Sequence, residues 1–379
     1  MTNRVESTLI VPTSTDWEVE REGGMEKFIR SMAREASRRL QPLQILSTGM
    51  NTVTNGSVVV RPVVRKARTE LAYVRALRRN LRARVLPIPD HAVVLANAEH
   101  YVWPFLDTHV PVMLLAHGAV PPTLRRTGGL LKTLAFELLL ERRAIQRADR
   151  ILVVSKNTEA YYRKKFPEAS RKVALIPMGV DLDAIPSPET RAATDRWEIG
   201  PGRPRVLFAG RLSKEKGLPL IVQACSIVRA EPESGGLELT VAGDGPLRGW
   251  LQARCRSTRW IHALGRVPHS ELMELMANSD LLTIGSSYEG LPTVLLEALC
   301  AGLPIVSTKV GRASELLGRQ NGVVVERTPG EFAQGIVRAL KIDRLEAAKA
   351  DAQLRPLLDF RRTADVIFEM ARTVSERRS

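Results

Sequence analysis

The feature that most constrains this chain is a series of short apolar runs without polar alternation, most of them closed by Gly, Ser or Pro. They are "TLIVP" (8–12), "LQILSTG" (43–49), "SVVVRP" (57–62), "AVVLAN" (92–97), "PVMLLAHG" (111–118), "RILVVS" (150–155) and "KVALIP" (172–177). A strand with one wet face alternates apolar and polar residues. Continuous β-branched runs belong to strands covered on both faces, which means a parallel sheet between helices. Helical stretches such as "GMEKFIRSMAREASRRL" and "LLKTLAFELLLERRAIQRA" fill the intervals. Residues 178–204, "MGVDLDAIPSPETRAATDRWEIGPGRP", are rich in Pro, Gly and charge and interrupt the series. It then restarts with "RVLFAG" (205–210), "LELTVAG" (237–243), "WIHALG" (260–265), "LLTIGSS" (281–287), "PIVSTKV" (304–310) and "GVVVE" (322–326). The pattern predicts an α/β protein with two doubly wound domains. A length of 379 residues suits two domains of ordinary size. The expected division is 1–180, a linker at 181–204, a second domain at 205–360, and a C-terminal helix at 361–379 packing back on the first domain.

Composition narrows the class. With 44% apolar and 26% charged residues the chain reads as a soluble globular protein. "MTNRVESTLIVP" lacks the apolar core and cleavage site of a signal peptide. No apolar run reaches the ~18–20 residues needed to span a bilayer. Cys225, Cys255 and Cys300 are odd in number and far apart, as reduced cytosolic thiols would be. The net charge of +15 is uneven: 31 Lys/Arg against 21 Asp/Glu in residues 1–200, then 25 against 20. Such a field favours an anionic partner or substrate. Aromatic residues are few, at 5%, and no nucleic-acid motif appears, so no nucleic-acid partner is expected.

Ligands of such sheets sit beyond the carboxyl ends of the strands. In "FAGRLSKEKG" (208–217) Arg211 and Lys216 follow a strand end and precede a helix, where a diphosphate fits a guanidinium fork, an ammonium and free helix N–H groups. Taken alone, they also read as two surface cations. "VAGDGPLRGWL" (241–251) is a Gly-rich turn of the same kind. In "LGRVPHSELMELM" (264–276) Ser270 is a helix-cap candidate, and the backbone at Arg266 and Val267 is placed to read a base edge. "SSYEGLPTVLLEALCAGLPIVS" (286–307) holds Glu289 and Glu297 in a segment otherwise apolar enough for a core. Buried carboxylates need partners. With Pro292 at the first helical position, Glu289 and Gly290 lie in the loop and Glu297 between one and two turns inside the helix. Carboxylates accept hydrogen bonds from hydroxyls, so two of them at this separation suit the two sugars of a sugar nucleotide.

In order and spacing, "AGRLSKEKG", "VAGDGPL", "LGRV" and "SSYEGLPTVLLEALCAGLPIVST" resemble the donor half of the retaining glycosyltransferases of family four. Upstream, "EGGMEKF" (22–28), "LLAHG" and "VVSKNT…VALIPMGVDLDAI" extend the resemblance over nearly the whole chain. It implies the GT-B fold, two Rossmann-like domains facing across a cleft. It also implies that Arg211 and Lys216 bind the donor diphosphate, Glu297 the ribose, and Glu289 with the amides of Gly290 and Leu291 the transferred sugar. Arg266 and Val267 would lie at the base, Gly23 and Gly24 against phosphate or sugar from the first domain, and His117 beside the donor sugar. His117 on its own also reads as a satisfied strand-end histidine. The implied mechanism is front-face attack with retention, assisted by the leaving phosphate; a covalent role for Glu289 is the sharper alternative. The donor would be a nucleotide-sugar, uridine-linked by family frequency, with no cofactor. "DLD" at 181–183 matches the family's linker turn and not a metal site, and His100, His109 and His117 lack ligand spacing, so no metal is expected.

The stretch 61–87, "RPVVRKARTELAYVRALRRNLRARVLP", carries nine Arg/Lys and one Glu, with Leu71, Val74, Leu77 and Leu81 at helical spacing. A basic amphipathic helix suits the anionic inner membrane surface or a lipid-linked acceptor, and an ordinary packed helix has the same pattern. The acidic loop "STDWEVEREGG" reads as solvated, with a lid over a cationic acceptor as its alternative. The expected function is therefore a cytoplasmic, membrane-peripheral hexosyltransferase acting on a saccharide or lipid-linked envelope glycan. Its alternatives are a transferase of small natural products, a sugar-nucleotide epimerase and a non-catalytic binding module.

Overall fold

The structure is a computed structural model that describes residues 7–17, 24–118, 140–187, 202–231 and 236–377. The chain divides into two units, Met1–Met178 with Arg361–Ser379, and Gly179–Phe360. Of the linker expected at 181–204, residues 188–201 lie outside the described residues.

In the first unit the strands are β1 (Thr8–Asp16), β2 (Leu43–Thr48), β3 (Val53–Asn55), β4 (Val58–Val64), β5 (Ala92–Ala96), β6 (Val112–Ala116), β7 (Arg150–Val153) and β8 (Val173–Leu175). They form one sheet in the order β3-β4-β2-β1-β5-β6-β7-β8. Its pairs are parallel except β3 with β4, which is antiparallel. Every residue of β2, β5 and β6 is buried, as the unalternated runs require. β3 was not among the expected strands: all three of its residues are exposed, so burial leaves no apolar signature on it.

The described helices here are α1 (Gly24–Arg38), α2 (Glu70–Arg82), α3 (Arg142–Arg147) and α4 (Lys156–Lys165). The basic stretch 61–87 is therefore the end of β4, a loop and α2. Thr69 caps α2 by accepting the Ala72 N–H at 3.1 Å. The buried face of α2 is Tyr73, Val74, Ala76 and Leu77, while Leu71 is 45% exposed. Of the expected face, Val74 and Leu77 are buried and Leu81 packs against the same core, while Leu71 is not; Tyr73 joins the face, donating its hydroxyl to the Leu46 carbonyl on β2 at 2.6 Å.

The second unit has β9 (Arg205–Ala209), β10 (Glu238–Ala242), β11 (Ile261–Gly265), β12 (Leu281–Ile284), β13 (Ile305–Thr308) and β14 (Gly322–Val325). All are parallel, in the order β11-β10-β9-β12-β13-β14. Its described helices are α5 (Leu218–Ala230), α6 (Arg248–Ser257), α7 (His269–Ala277), α8 (Thr293–Cys300), α9 (Ala313–Leu316), α10 (Pro329–Ala339) and α11 (Arg344–Asp351). Ile221 and Cys225 of α5 share one core with Phe332 and Ile336 of α10 and with Val206, Leu239 and Val306 of the sheet. All three cysteines are free thiols.

The outgoing and returning strands of chain meet at Val180 and Asp359 in a parallel bridge. Val180 N–H donates to Leu358 O at 2.8 Å and Phe360 N–H to Val180 O at 2.9 Å. A Cβ on Gly179 would sit 2.5 Å from the Asp359 carbonyl carbon, so only glycine permits this approach. The last helix, α12 (Phe360–Glu376), belongs to the first unit from Arg361 onward. There Arg39 of α1 donates to the Arg361 carbonyl at 3.1 Å, pairs with Asp365, and lies over the Phe368 ring.

Candidate functional site

In the second sheet β9 has β10 on one side and β12 on the other. The chain order therefore reverses between β9 and β12, and the loops leaving these strands diverge around a crevice, the usual ligand position in an open parallel sheet. The two loops, 210–217 and 285–292, are locked backbone to backbone. Gly217 has a φ of +75°, and a Cβ there would fall 2.0 Å from the Gly285 carbonyl oxygen. Ser287 N–H donates to Glu215 O at 2.8 Å, and Arg327 donates to Gly285 O at 3.1 Å and Lys214 O at 3.2 Å.

This joint brings Lys216 to Glu289. The ammonium lies 2.5 Å from Glu289 Oε1, and the Ser286 hydroxyl donates to the same oxygen at 2.7 Å. Glu289 has only 12% of its side chain exposed and Lys216 35%, so the carboxylate is neutralised where solvation is poor. Both bonds fall on Oε1, and Oε2 takes part in neither. Arg211, in the same loop, is exposed, while Gly290 and Leu291 are half-buried ahead of α8. Pro292 is the N-cap of α8, with ψ at 115°, and Thr293 is its first helical residue. Pro292 thus stands one position earlier than expected, because its ring fixes φ at −70° while ψ stays extended.

Glu297 is 3% exposed, inside α8. His269 Nε2 lies 3.0 Å from its Oε1. His269 is the first residue of α7, whose N-cap is Pro268 with no side-chain cap. Ser270 was the expected cap. The helix starts one residue before it, which leaves Ser270 in the first turn and turns His269 toward α8. Arg266, exposed, and Val267, half-buried, lead from edge strand β11 into His269. The structure thus gathers Arg211, Lys216, Glu289, Gly290, Leu291 and Glu297 on the two switch loops and the helix they open. Arg266 and Val267 reach that group through His269.

In the first unit the sheet reverses between β1 and β5. Gly24 opens α1, and one turn on Phe28 meets the His117 ring edge to face at 5.6 Å. His117, just past β6, also hydrogen-bonds Asn97, just past β5. Gly23 lies outside the described residues. Burial lowers the His117 imidazole to about 4, so it is neutral at ordinary pH and offers a hydrogen bond, not a charge.

Three residues of these clusters went unread in the sequence: Ser286, His269 and Asn97. Asn97 and Ser286 each lie just past a strand, which is a weak signal. His269 had none, since it stands 28 residues from its partner.

The family description Glycosyltransferase Family 4 matches residues 22–184, and Glycosyl transferases group 1 matches residues 203–341. Glycogen synthase of Mycobacterium tuberculosis is 28% identical over 188 residues, which is 47% of this chain and 42% of that protein. The chain thus spans less than half the length of this relative. Among solved structures, sucrose-phosphate synthase of Thermosynechococcus elongatus superposes with a TM-score of 0.78 over 98% of this chain and 100% of that one, at 16% identity. The HepE protein of Anabaena, in complex with UDP and glucose, superposes with a TM-score of 0.72 over 98% and 100%, at 17% identity. The structural likeness is one of fold.

Proposed function

Because the chain belongs to the family-four glycosyltransferases, with the GT-B fold, we propose that it moves a hexose from a nucleotide-sugar to a saccharide or lipid-linked envelope-glycan acceptor with retention of configuration. The observation that carries this is the Lys216–Glu289 pair at the switch point, with Arg211 in the same loop and Glu297 down the same helix. Arg211 and Lys216 hold the diphosphate and stabilise the charge that grows on it, so the step needs no metal or cofactor. Glu297 accepts hydrogen bonds from the ribose, Arg266 and Val267 border the base, and Glu289 with the Gly290 and Leu291 amides holds the sugar. A role for Gly23, Gly24 and neutral His117 in donor recognition is part of the same proposal and rests on the family resemblance. As the bond from the anomeric carbon to the β-phosphate oxygen breaks, the acceptor oxygen bonds to that carbon on the same face. The acceptor proton passes to the departing phosphate oxygen.

A uridine donor is supported by the UDP and glucose in HepE. A membrane-side acceptor is supported by α2. Arg75, Arg79, Arg82 and Arg84 are exposed, and Leu71 and Val85 are 45% and 67% exposed. A groove of about 570 Å³ beside Trp103 is lined by Arg75, Arg78, Arg79 and Arg82. Such a surface suits a phosphorylated lipid headgroup at the cytoplasmic membrane face. Among the described residues no helix is long and apolar enough to cross a membrane. The test is incubation with a UDP-hexose and lipid-linked or free saccharide acceptors, reading the product anomer by NMR. An axial donor giving an axial product supports retention; inversion, or conversion of the donor without acceptor as an epimerase would give, contradicts it.

A further inference from the structure

A buried carboxylate that must meet a ligand hydroxyl needs its own orientation fixed, and Glu297 has a partner for this that lies outside its own helix. We propose that His269 is a positioning residue: it holds the Glu297 carboxylate by one oxygen and thereby sets the discrimination between ribose and deoxyribose in the nucleotide. The inference rests on the reading that Glu297 takes the ribose.

Three observations carry it. First, the contact is direct, His269 Nε2 to Glu297 Oε1 at 3.0 Å, and Glu297 is 3% exposed, so the bond is made out of bulk solvent. A carboxylate has about four acceptor positions, so one bond to the imidazole leaves room for a vicinal diol. Second, the contact comes from outside α8, so it constrains the carboxylate independently of that helix. Glu297 is the fifth residue of an eight-residue helix and its side chain has several rotatable bonds. Pinning one oxygen removes that freedom before the ligand arrives, which is how preorganisation raises affinity. Third, His269 is the first residue of α7 and is separated from Val267 only by Pro268, whose φ is fixed near −58°. The segment expected at the base edge and the group expected at the ribose are therefore joined by one rigid step and one hydrogen bond. A shift of the 266–268 segment moves the carboxylate with it, so base and ribose are read as one unit.

The placement also explains why no ordinary helix cap is used. Pro268 caps α7 without a side-chain bond, and the first turn gives up that stabilisation. His269 is turned across to α8.

The test measures binding of uridine, guanosine and adenosine diphosphates to the full chain by calorimetry, then repeats the tightest one as its 2′,3′-dideoxy analogue. A site that hydrogen-bonds the ribose should prefer the ribonucleotide by roughly tenfold or more. His269→Ala should bring that ratio to within about twofold while weakening the dideoxy form little. His269→Gln, whose amide can donate to the same oxygen, should restore most of the ratio. Glu297→Gln should abolish it, and His269→Ala in that background should add nothing. In turnover, His269→Ala should raise the donor KM and leave kcat nearly unchanged, whereas a general loss of folding would reduce the active fraction and lower kcat. Wild-type discrimination that survives in both His269 variants overturns the inference and leaves the donor site standing. If no diphosphate binds the wild type, the donor reading falls and the inference falls with it.

Discussion

Glu289 and Glu297 are each tethered through Oε1, one by Lys216 and Ser286, the other by His269. Removing one member of such a pair leaves the other charge poorly solvated. Lys216→Met should therefore destabilise the fold by on the order of 1 kcal/mol, discounted because the ammonium is partly exposed. Lys216→Met combined with Glu289→Gln should recover most of that loss, a non-additivity visible in urea unfolding. Both changes should reduce turnover by about 100-fold or more if the pair serves the diphosphate and sugar as proposed. The His117 titration gives a second expectation. Between pH 6.5 and about 4 the unfolded chain binds a proton that the folded imidazole refuses, so stability falls as pH drops through that window. Glu99 has the opposite sign. Burial raises its carboxyl from 4.5 to about 7, so its contribution is full at low pH and is lost as pH rises through about 7. Unfolding free energies measured against pH should be flatter on the acid side in His117→Gln and flatter between 4.5 and about 7 in Glu99→Gln. At this scale the sequence was legible for charged groups in a repeated spacing. Ser286, Asn97 and His269 were not, because an orienting contact is set by which loops the sheet order brings together.

At the scale of the element, the strands were readable because burial on both faces writes an unalternated run, and β3, exposed throughout, escaped for the same reason. Helix starts were legible to within two residues: Pro292 falls one position from its expected role and Ser270 two. The 61–87 stretch begins with the last residues of β4, whose run is expected at 57–62, and its helical periodicity belongs to α2. The loop joint after β9 and β12 makes a sharper prediction. Gly217→Ala forces a side chain into a left-handed backbone and against the Gly285 carbonyl. It should cost about 2 kcal/mol or more. It should also weaken nucleotide binding, since the same joint sets Lys216 against Glu289; calorimetry on the folded fraction would show both. On α2, Arg75→Glu with Arg79→Glu should abolish sedimentation with vesicles containing acidic lipid and leave nucleotide binding intact. Equal sedimentation with the wild type would remove the membrane reading.

At the scale of the whole molecule, the sheet orders carry most of the functional argument. Both sheets have an internal reversal, between β1 and β5 and between β9 and β12; Arg211, Lys216, Glu289, Gly290 and Leu291 lie on the loops at the second, whereas His117 follows β6 and Arg266 and Val267 follow edge strand β11. That two parallel sheets would form was visible from the doubled run of apolar segments. Which strands would be neighbours was not, because order within a sheet depends on crossover packing that periodicity does not record. The return of α12 to the first unit ties the chain's end to its beginning through Arg39. Net charge of +15 is a property of the full chain and favours anionic ligands in general. The discriminating quantity is therefore specific nucleotide binding, separated from this background by salt.

The most direct measurement is a thermal shift of the full chain at moderate salt and without added metal, with uridine, guanosine and adenosine diphosphates and their hexose conjugates. At ~100-fold excess over its dissociation constant a bound ligand adds roughly 3 kcal/mol of stability. The account predicts a rise with one nucleotide series, lost in both Arg211→Ala and Glu297→Ala. A flat response to every nucleotide, or a rise that survives both substitutions, would contradict the assignment of the donor site to the β9–β12 switch point.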